Sequence, residues 1–187
     1  MKKAICKLKS VSTYGQSKFH QTPKLNKELN GDFEDRTWRE RTHVDDKGFL
    51  FIPGTQFANS LREASKYLSI SVPGKGKSTY TKHFESGIMV LDNIPLPVKK
   101  EEVKSVTVFV PSDGRVGGGK RVIKHFPIVH EWSGEITFHI IDDIITAEVF
   151  EQVLRASGQL IGIGYFRPRN RGYYGRFEVE NIEWTES

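Results

Sequence analysis

The apolar residues of this chain fall into short runs of period two, and two stretches of period near 3.6 interrupt them. Ala4, Cys6 and Leu8 alternate with polar neighbours. So do Val106, Val108 and Val110, then Ile136, Phe138 and Ile140, then Phe177 and Val179. Successive side chains of a strand point to opposite faces, so these runs read as half-buried strands. Phe49–Ile52, Gly87–Ile94 and Val122–Val129 read as further strands. Phe57, Leu61, Ala64 and Leu68 instead recur at spacings of four, three and four, which predicts one apolar helix face. Thr55 is the expected N-cap of that helix, which should end near Ser69, ahead of Val72-Pro73-Gly74. A second helix should start at Thr146, with Glu148 in its first turn and Val149, Phe150, Val153 and Leu154 facing inward.

Two helices separating groups of strands give a βαββαβ core, the ferredoxin-like or RRM-like plan of the α+β class. At 187 residues the chain is read as one domain over 1–187. Two insertions are expected. Residues 13–48 are polar and irregular, with Trp38 as a candidate anchor. Residues 111–130 read as an extended β-hairpin whose glycines at 117–119 must be mobile or must approach something closely.

Composition removes several classes of function. One cysteine, Cys6, allows no intramolecular disulfide and no multi-cysteine zinc site. No run is long enough to span a membrane, and the N-terminus lacks the apolar core of a signal peptide. A cytoplasmic protein without metal or cofactor is expected. The segment PGKGKSTY lacks P-loop spacing, because Gly74 and Gly76 stand too close together.

Charge is distributed unevenly. The net charge is +5, yet Gly74–Lys82 carries +3, Ser112–Phe126 carries +3 and Tyr165–Phe177 carries +4, so the remainder is acidic. The last of these, within IGIGYFRPRNRGYYGRF, is the most informative. Arg167, Arg169, Arg171 and Arg176 stand among Tyr165, Phe166, Tyr173, Tyr174 and Phe177 with no acid. Guanidinium groups bind phosphate through a planar fork, and aromatic faces stack on any base. The residues predicted to carry binding are these four arginines with Tyr173 or Tyr174. Lys75, Lys77, Lys82, Lys120 and Arg121 extend the track, and Arg62 reaches it from the first helix. The competing reading is a flexible glycine-rich hairpin loop with solvated arginines.

The phrase FIPGTQFANSLR, Phe51 to Arg62, resembles the IPGSSLKGALR signature of RAMP-superfamily proteins, which include the Cas7-like backbone subunits of CRISPR effectors. Asn59-Ser60 stands where that signature has Lys-Gly. The C-terminal GIGYFRPRNRGYYGRFEV is similar to the family's glycine-rich loop before its last strand. The resemblance implies an RRM-like domain with a thumb-like hairpin near Ser112–His130. It also implies sequence-independent binding of single-stranded RNA or DNA, in a homo-oligomer or as a ribonucleoprotein subunit. Two alternatives stand beside it. One is a metal-independent endoribonuclease drawing on His43, His83 or His125 and on Asp32, Asp35, Asp45 or Asp46. The other is a protein-interaction module that mimics or inhibits a Cas7-like complex.

Overall fold

A computed structural model describes every residue except Val116, Gly118 and Ser187, so part of the expected 117–119 glycine tip lies outside the described residues. The strands are β1 (Lys2–Ser10), β2 (Tyr14–Gly15), β3 (Phe49–Ile52), β4 (Ile88–Val90), β5 (Ile94–Lys99), β6 (Lys104–Pro111), β7 (Arg121–Val129), β8 (Ser133–Ile140) and β9 (Phe177–Glu186). The helices are α1 (Asn30–Thr37), α2 (Gly54–Leu68), α3 (Thr81–Ser86) and α4 (Ala147–Ala156).

The core is a four-stranded antiparallel sheet in the order β4-β8-β1-β9. Taken with α2 after β1 and α4 after β8, the core reads βαββαβ with spatial order 2-3-1-4, so the fold is ferredoxin-like, as the periodicities predict. The alternation in β1 explains the layering. Ala4, Cys6 and Leu8 are fully buried against Phe57, Leu61 and Ala64 of α2 and Phe150, Val153 and Leu154 of α4. Lys3, Lys7 and Lys9 point the other way and are exposed. Glu135 lies across from Lys7, and Glu178 from Lys9. That outer face is a checkerboard of opposite charges with no Phe, Tyr or Trp among its described residues.

The helix ends follow local chemistry. Thr146 caps α4 as expected, its hydroxyl accepting from the Val149 amide at 3.3 Å. Thr55 does not cap α2. That helix starts two residues earlier than such a cap implies, at Gly54, with Pro53 in the N-cap position, and the Gly54 amide is satisfied from outside by Asn93 Oδ1 at 3.0 Å. A side chain at Gly54 would collide with the Asp92 carbonyl, its Cβ only 2.1 Å away, so only glycine lets the chain turn there against 90–93. Ser69 closes the helix in the left-handed region, φ 48°.

Residues 13–48 are more ordered than their polarity predicts. They hold β2, α1 and a tight turn over Trp38–Arg41, with Trp38 buried. Arg41 clamps this segment. It grips Glu34 with both ends of its fork, at 2.6 and 2.8 Å, and donates to the His125 carbonyl at 2.8 Å. The His125 amide returns a bond to Glu34 at 2.7 Å, which ties α1 to β7. The hairpin is also longer than the expected 111–130. β6 pairs with β7 and not with the core, from Lys104↔Ile128 to Pro111↔Arg121, and β2 joins them in a second sheet. β5 pairs with β3. The excursion from the core sheet therefore runs from Leu91 to Trp132.

Candidate nucleic-acid interface

Between α4 and β9 the chain passes through the glycine-rich stretch, and its backbone is locked rather than loose. The Tyr165 amide donates to the Gly15 carbonyl at 2.8 Å, and the Gly175 amide donates to Thr13 at 2.7 Å. Ile163 bonds Gly175 at 3.0 Å, and Tyr174 bonds Phe166 at 3.0 Å. The glycines are there for these contacts: a Cβ on Gly172 would sit 1.7 Å from the Phe166 carbonyl oxygen, and one on Gly175 would sit 1.8 Å from that of Ile163. The partner that the glycines admit is the chain itself. Tyr165 is committed to packing, stacked on Phe126 with ring centres 3.7 Å apart. Tyr14, beneath it, is buried and donates to Gln56 Oε1 at 2.9 Å, and burial pushes its phenol well above the usual range.

This locked loop faces the first half of α2 across a groove of about 660 Å³. Gln56, Asn59, Arg62 and Glu63 form one wall. Gly164–Arg167 and Asn170 form the other, and Ser17 and His43 close an end. The two stretches that the sequence singles out, FIPGTQFANSLR and IGIGYFRPRNRGYYGRF, are therefore the two walls of one cleft. Arg167 Nη2 lies 2.6 Å from Glu63 Oε1, and Arg169 Nε lies 3.3 Å from Glu63 Oε2. Arg62 donates to Asn59 Oδ1 at 3.1 Å. Two guanidinium groups thus meet one carboxylate, and a third, that of Arg62, is held by the Asn59 amide beside it. The loop has no acid of its own, but α2 supplies one, a pairing that spacing along the chain could not reveal.

The other predicted residues lie at different distances from this groove. Arg171 is exposed, next in the chain to Asn170 of the groove wall, and held at φ 63°. Arg176 turns back to the Gln159 carbonyl at 3.0 Å. Tyr173 is 71% exposed and Tyr174 half-buried; both line a second depression of about 440 Å³ with Thr13 and His130. Arg121 donates to the Phe109 carbonyl at 3.0 Å. It stands about 17 Å along β7 from Phe126, at about 3.3 Å per residue, and Lys120 is the residue just before the strand. Lys75 and Lys77 occupy a tight turn beyond the C-terminus of α2, and Lys82 lies in α3. None of these three lysines lines the groove, and α2 ends about 8 Å beyond Glu63 at 1.5 Å per residue. Of the three basic segments, only the last contributes to the lining of the groove.

Gln56, Asn59, Ser17 and His43 were not singled out for binding by the sequence; for Gln56 and Asn59 the available signal is that they are polar and off the apolar face of α2. His43 is half-buried with its ring tilted on Phe51, and burial together with Lys18 depresses its pKa. Of the other histidines, His83 bonds Asp142 at 2.6 Å and His125 bonds Asp35 at 2.9 Å and Thr107 at 2.9 Å. Neither borders the groove. Asp45 accepts from the Lys47 and Phe49 amides and simply builds a turn. Among the described residues no group of three or more His, Cys, Asp or Glu could hold a metal ion, and no helix is long and apolar enough to cross a membrane.

No protein-family model matches the chain, and no curated protein matches it. Among solved structures the chain is similar to the crystal structure of Cmr6 from Pyrococcus furiosus, with TM-score 0.48 and 13% identity over 96% of this chain and 99% of that one. It is also similar to a chain of the type III-B Cmr-beta complex bound to cognate target RNA, with TM-score 0.48 and 11% identity over 98% of this chain and 60% of that one. A chain of a CRISPR RNA-guided surveillance complex follows, with TM-score 0.36 and 8% identity over 96% of this chain and 67% of that one. The fold assignment above rests on strand order alone.

Proposed function

We propose that this protein binds single-stranded RNA or DNA in the groove between α2 and the glycine-rich loop, without sequence preference, as one subunit of an oligomer or ribonucleoprotein. The observation that carries the reading is the set of Arg62, Arg167 and Arg169 along one cleft whose backbone is fixed by hydrogen bonds. Fixed guanidinium forks suit phosphodiesters. Phe166 and Tyr173, both exposed, offer faces for bases beside them. The outer sheet face is a poorer candidate, since glutamates lie across from Lys7 and Lys9 and its described residues include no Phe, Tyr or Trp.

The test is anisotropy of labelled single-stranded RNA, single-stranded DNA and duplex at two salt concentrations. Replacing Arg62, Arg167 and Arg169 by Ala should weaken binding to all single strands alike. The log–log salt slope should become shallower by about 2, at about 0.7 per phosphate contact. Unchanged affinity in the triple variant would sink the proposal. Binding of none of these oligonucleotides by the unaltered protein would leave the protein-interaction module as the better account.

A second reading, metal-independent cleavage of RNA, rests on His43. Its depressed pKa leaves the imidazole neutral near pH 7, the form that accepts a proton from a ribose hydroxyl. Shortened RNA on a denaturing gel, lost in His43→Ala, would bring this reading forward. Intact RNA would remove it.

A further inference from the structure

The groove of the free protein already contains an anion. Glu63 projects from α2 and sets one carboxylate oxygen 2.6 Å from Arg167 Nη2 and the other 3.3 Å from Arg169 Nε. Two arginines thus converge on the two oxygens of one anion, Arg167 by a hydrogen bond and Arg169 as an ion pair, and guanidinium groups receive a phosphodiester in the same way. We propose that the Glu63 carboxylate stands in a phosphate position, and that a bound strand must displace it. The inference rests on the reading of the groove as a nucleic-acid site and adds the residue that sets its affinity.

Three features make displacement physically reasonable. Glu63 is held at the surface, its side chain one-third exposed, so it leaves without unpacking the core. Lys66 lies exposed one turn further along α2, at the i,i+3 spacing where a released carboxylate finds a cation. Arg169 is more than half exposed and meets Glu63 through Nε at 3.3 Å, so much of its side chain stays open to solvent. A single anion must outcompete a tethered carboxylate to enter. A strand that also engages Arg62 and Arg171 draws on further contacts, so the arrangement favours chains of phosphates over single ones.

The test compares the unaltered protein with Glu63→Gln, which keeps the shape and an acceptor for Arg167 but removes the charge. Single-strand affinity should rise about fourfold or more at low salt, as removal of one unit charge about 5 Å from a phosphate implies. The log–log salt slope should steepen by about 0.7. Glu63→Asp, with the charge drawn back one methylene, should fall between. On an Arg167→Ala/Arg169→Ala background the gain from Glu63→Gln should vanish. Weaker or unchanged binding by Glu63→Gln would overturn the proposal and make Glu63 an anchor for the arginines. A gain that persists without the two arginines would also overturn it, as a general charge effect.

A second arm uses inorganic phosphate and the arginine Nε–H signals in NMR spectra. Phosphate should move the Arg167 and Arg169 signals at lower concentration in Glu63→Gln than in the unaltered protein. This arm stands apart from oligonucleotide binding. If no strand binds but phosphate behaves as stated, the nucleic-acid reading fails and the anion position survives. If phosphate leaves both signals unmoved in both proteins, the anion position fails.

Discussion

Replacing Gly175 by alanine decides between a built cradle and a flexible arginine loop. Gly175 has φ 75°, a conformation that costs an L-residue about 1–2 kcal/mol. The new Cβ would also lie 1.8 Å from the Ile163 carbonyl oxygen and under 3 Å from that residue's carbonyl carbon and nitrogen. All three are backbone atoms, so no side chain can swing aside. Relief requires separating the two segments, which stretches the bond from the Ile163 amide to Gly175 and that from the Gly175 amide to Thr13. At about 1 kcal/mol for each bond, the total reaches about 3–4 kcal/mol. For a chain of this size that corresponds to a melting temperature lower by about 10 °C. Gly114→Ala is the internal control. Its φ is 72°, but nothing lies within 4 Å of the added carbon, so it should cost only the conformational part. Calorimetry on the two variants gives the comparison. If Gly175→Ala loses no more than Gly114→Ala, the loop is free to rearrange and a groove wall of fixed geometry is wrong.

Arg41→Met should destabilise by about 3–5 kcal/mol, since it strands a buried carboxylate, and urea titration measures this directly. Burial alone would raise the pKa of Glu34, but the Arg41 guanidinium and the His125 amide outweigh it and hold the group below its ordinary 4.5. The stability Glu34 contributes is therefore complete above about pH 4.5 and lost as pH falls through the lowered value, so the gap between the unaltered protein and the variant should narrow in acid. A gap independent of pH would refute this. Cys6 is buried, and desolvation, with the charge of Glu151, pushes its thiol up to about 12. At pH 8 roughly one molecule in ten thousand is ionised, so a thiol reagent should label Cys6 only as fast as the protein unfolds. Rapid labelling of native protein would contradict its placement.

The core was legible because its signals are local. Alternation at Ala4, Cys6 and Leu8 and helical spacing at Phe57, Leu61 and Ala64 each follow from which face of one element is buried. α1 was not legible: its eight residues include only two buried side chains, Glu34 and Thr37, and what holds it is Arg41 reaching His125, 84 residues away. The alternation at Val106, Val108 and Val110 ahead of a glycine-rich tip points to a strand paired with Val122–Val129, as β6 and β7 are; that this pair leaves the core sheet is a matter of long-range pairing. The Gly54 start of α2 was hidden for the same reason, since its cap is Asn93. At the site, the sequence supplied both walls of the groove but not their apposition. The basic segments looked like one surface because like charge suggests a common partner. The lysines are not among the residues lining the groove, and Glu63 enters from an element that the charge count of the loop never included.

β1 and β9 lie side by side with Lys2 opposite Glu186 at one end and Ser10 opposite Phe177 at the other. The groove loop enters β9 at the Phe177 end. A fluorophore placed at Glu186 would therefore stand about 30 Å from that end of the sheet, at about 3.3 Å per residue along the strand. That separation suits energy transfer to an acceptor on an oligonucleotide end. With the donor position fixed, moving the acceptor from the 5′ end to the 3′ end would read the direction in which a strand lies, without touching any residue of the groove.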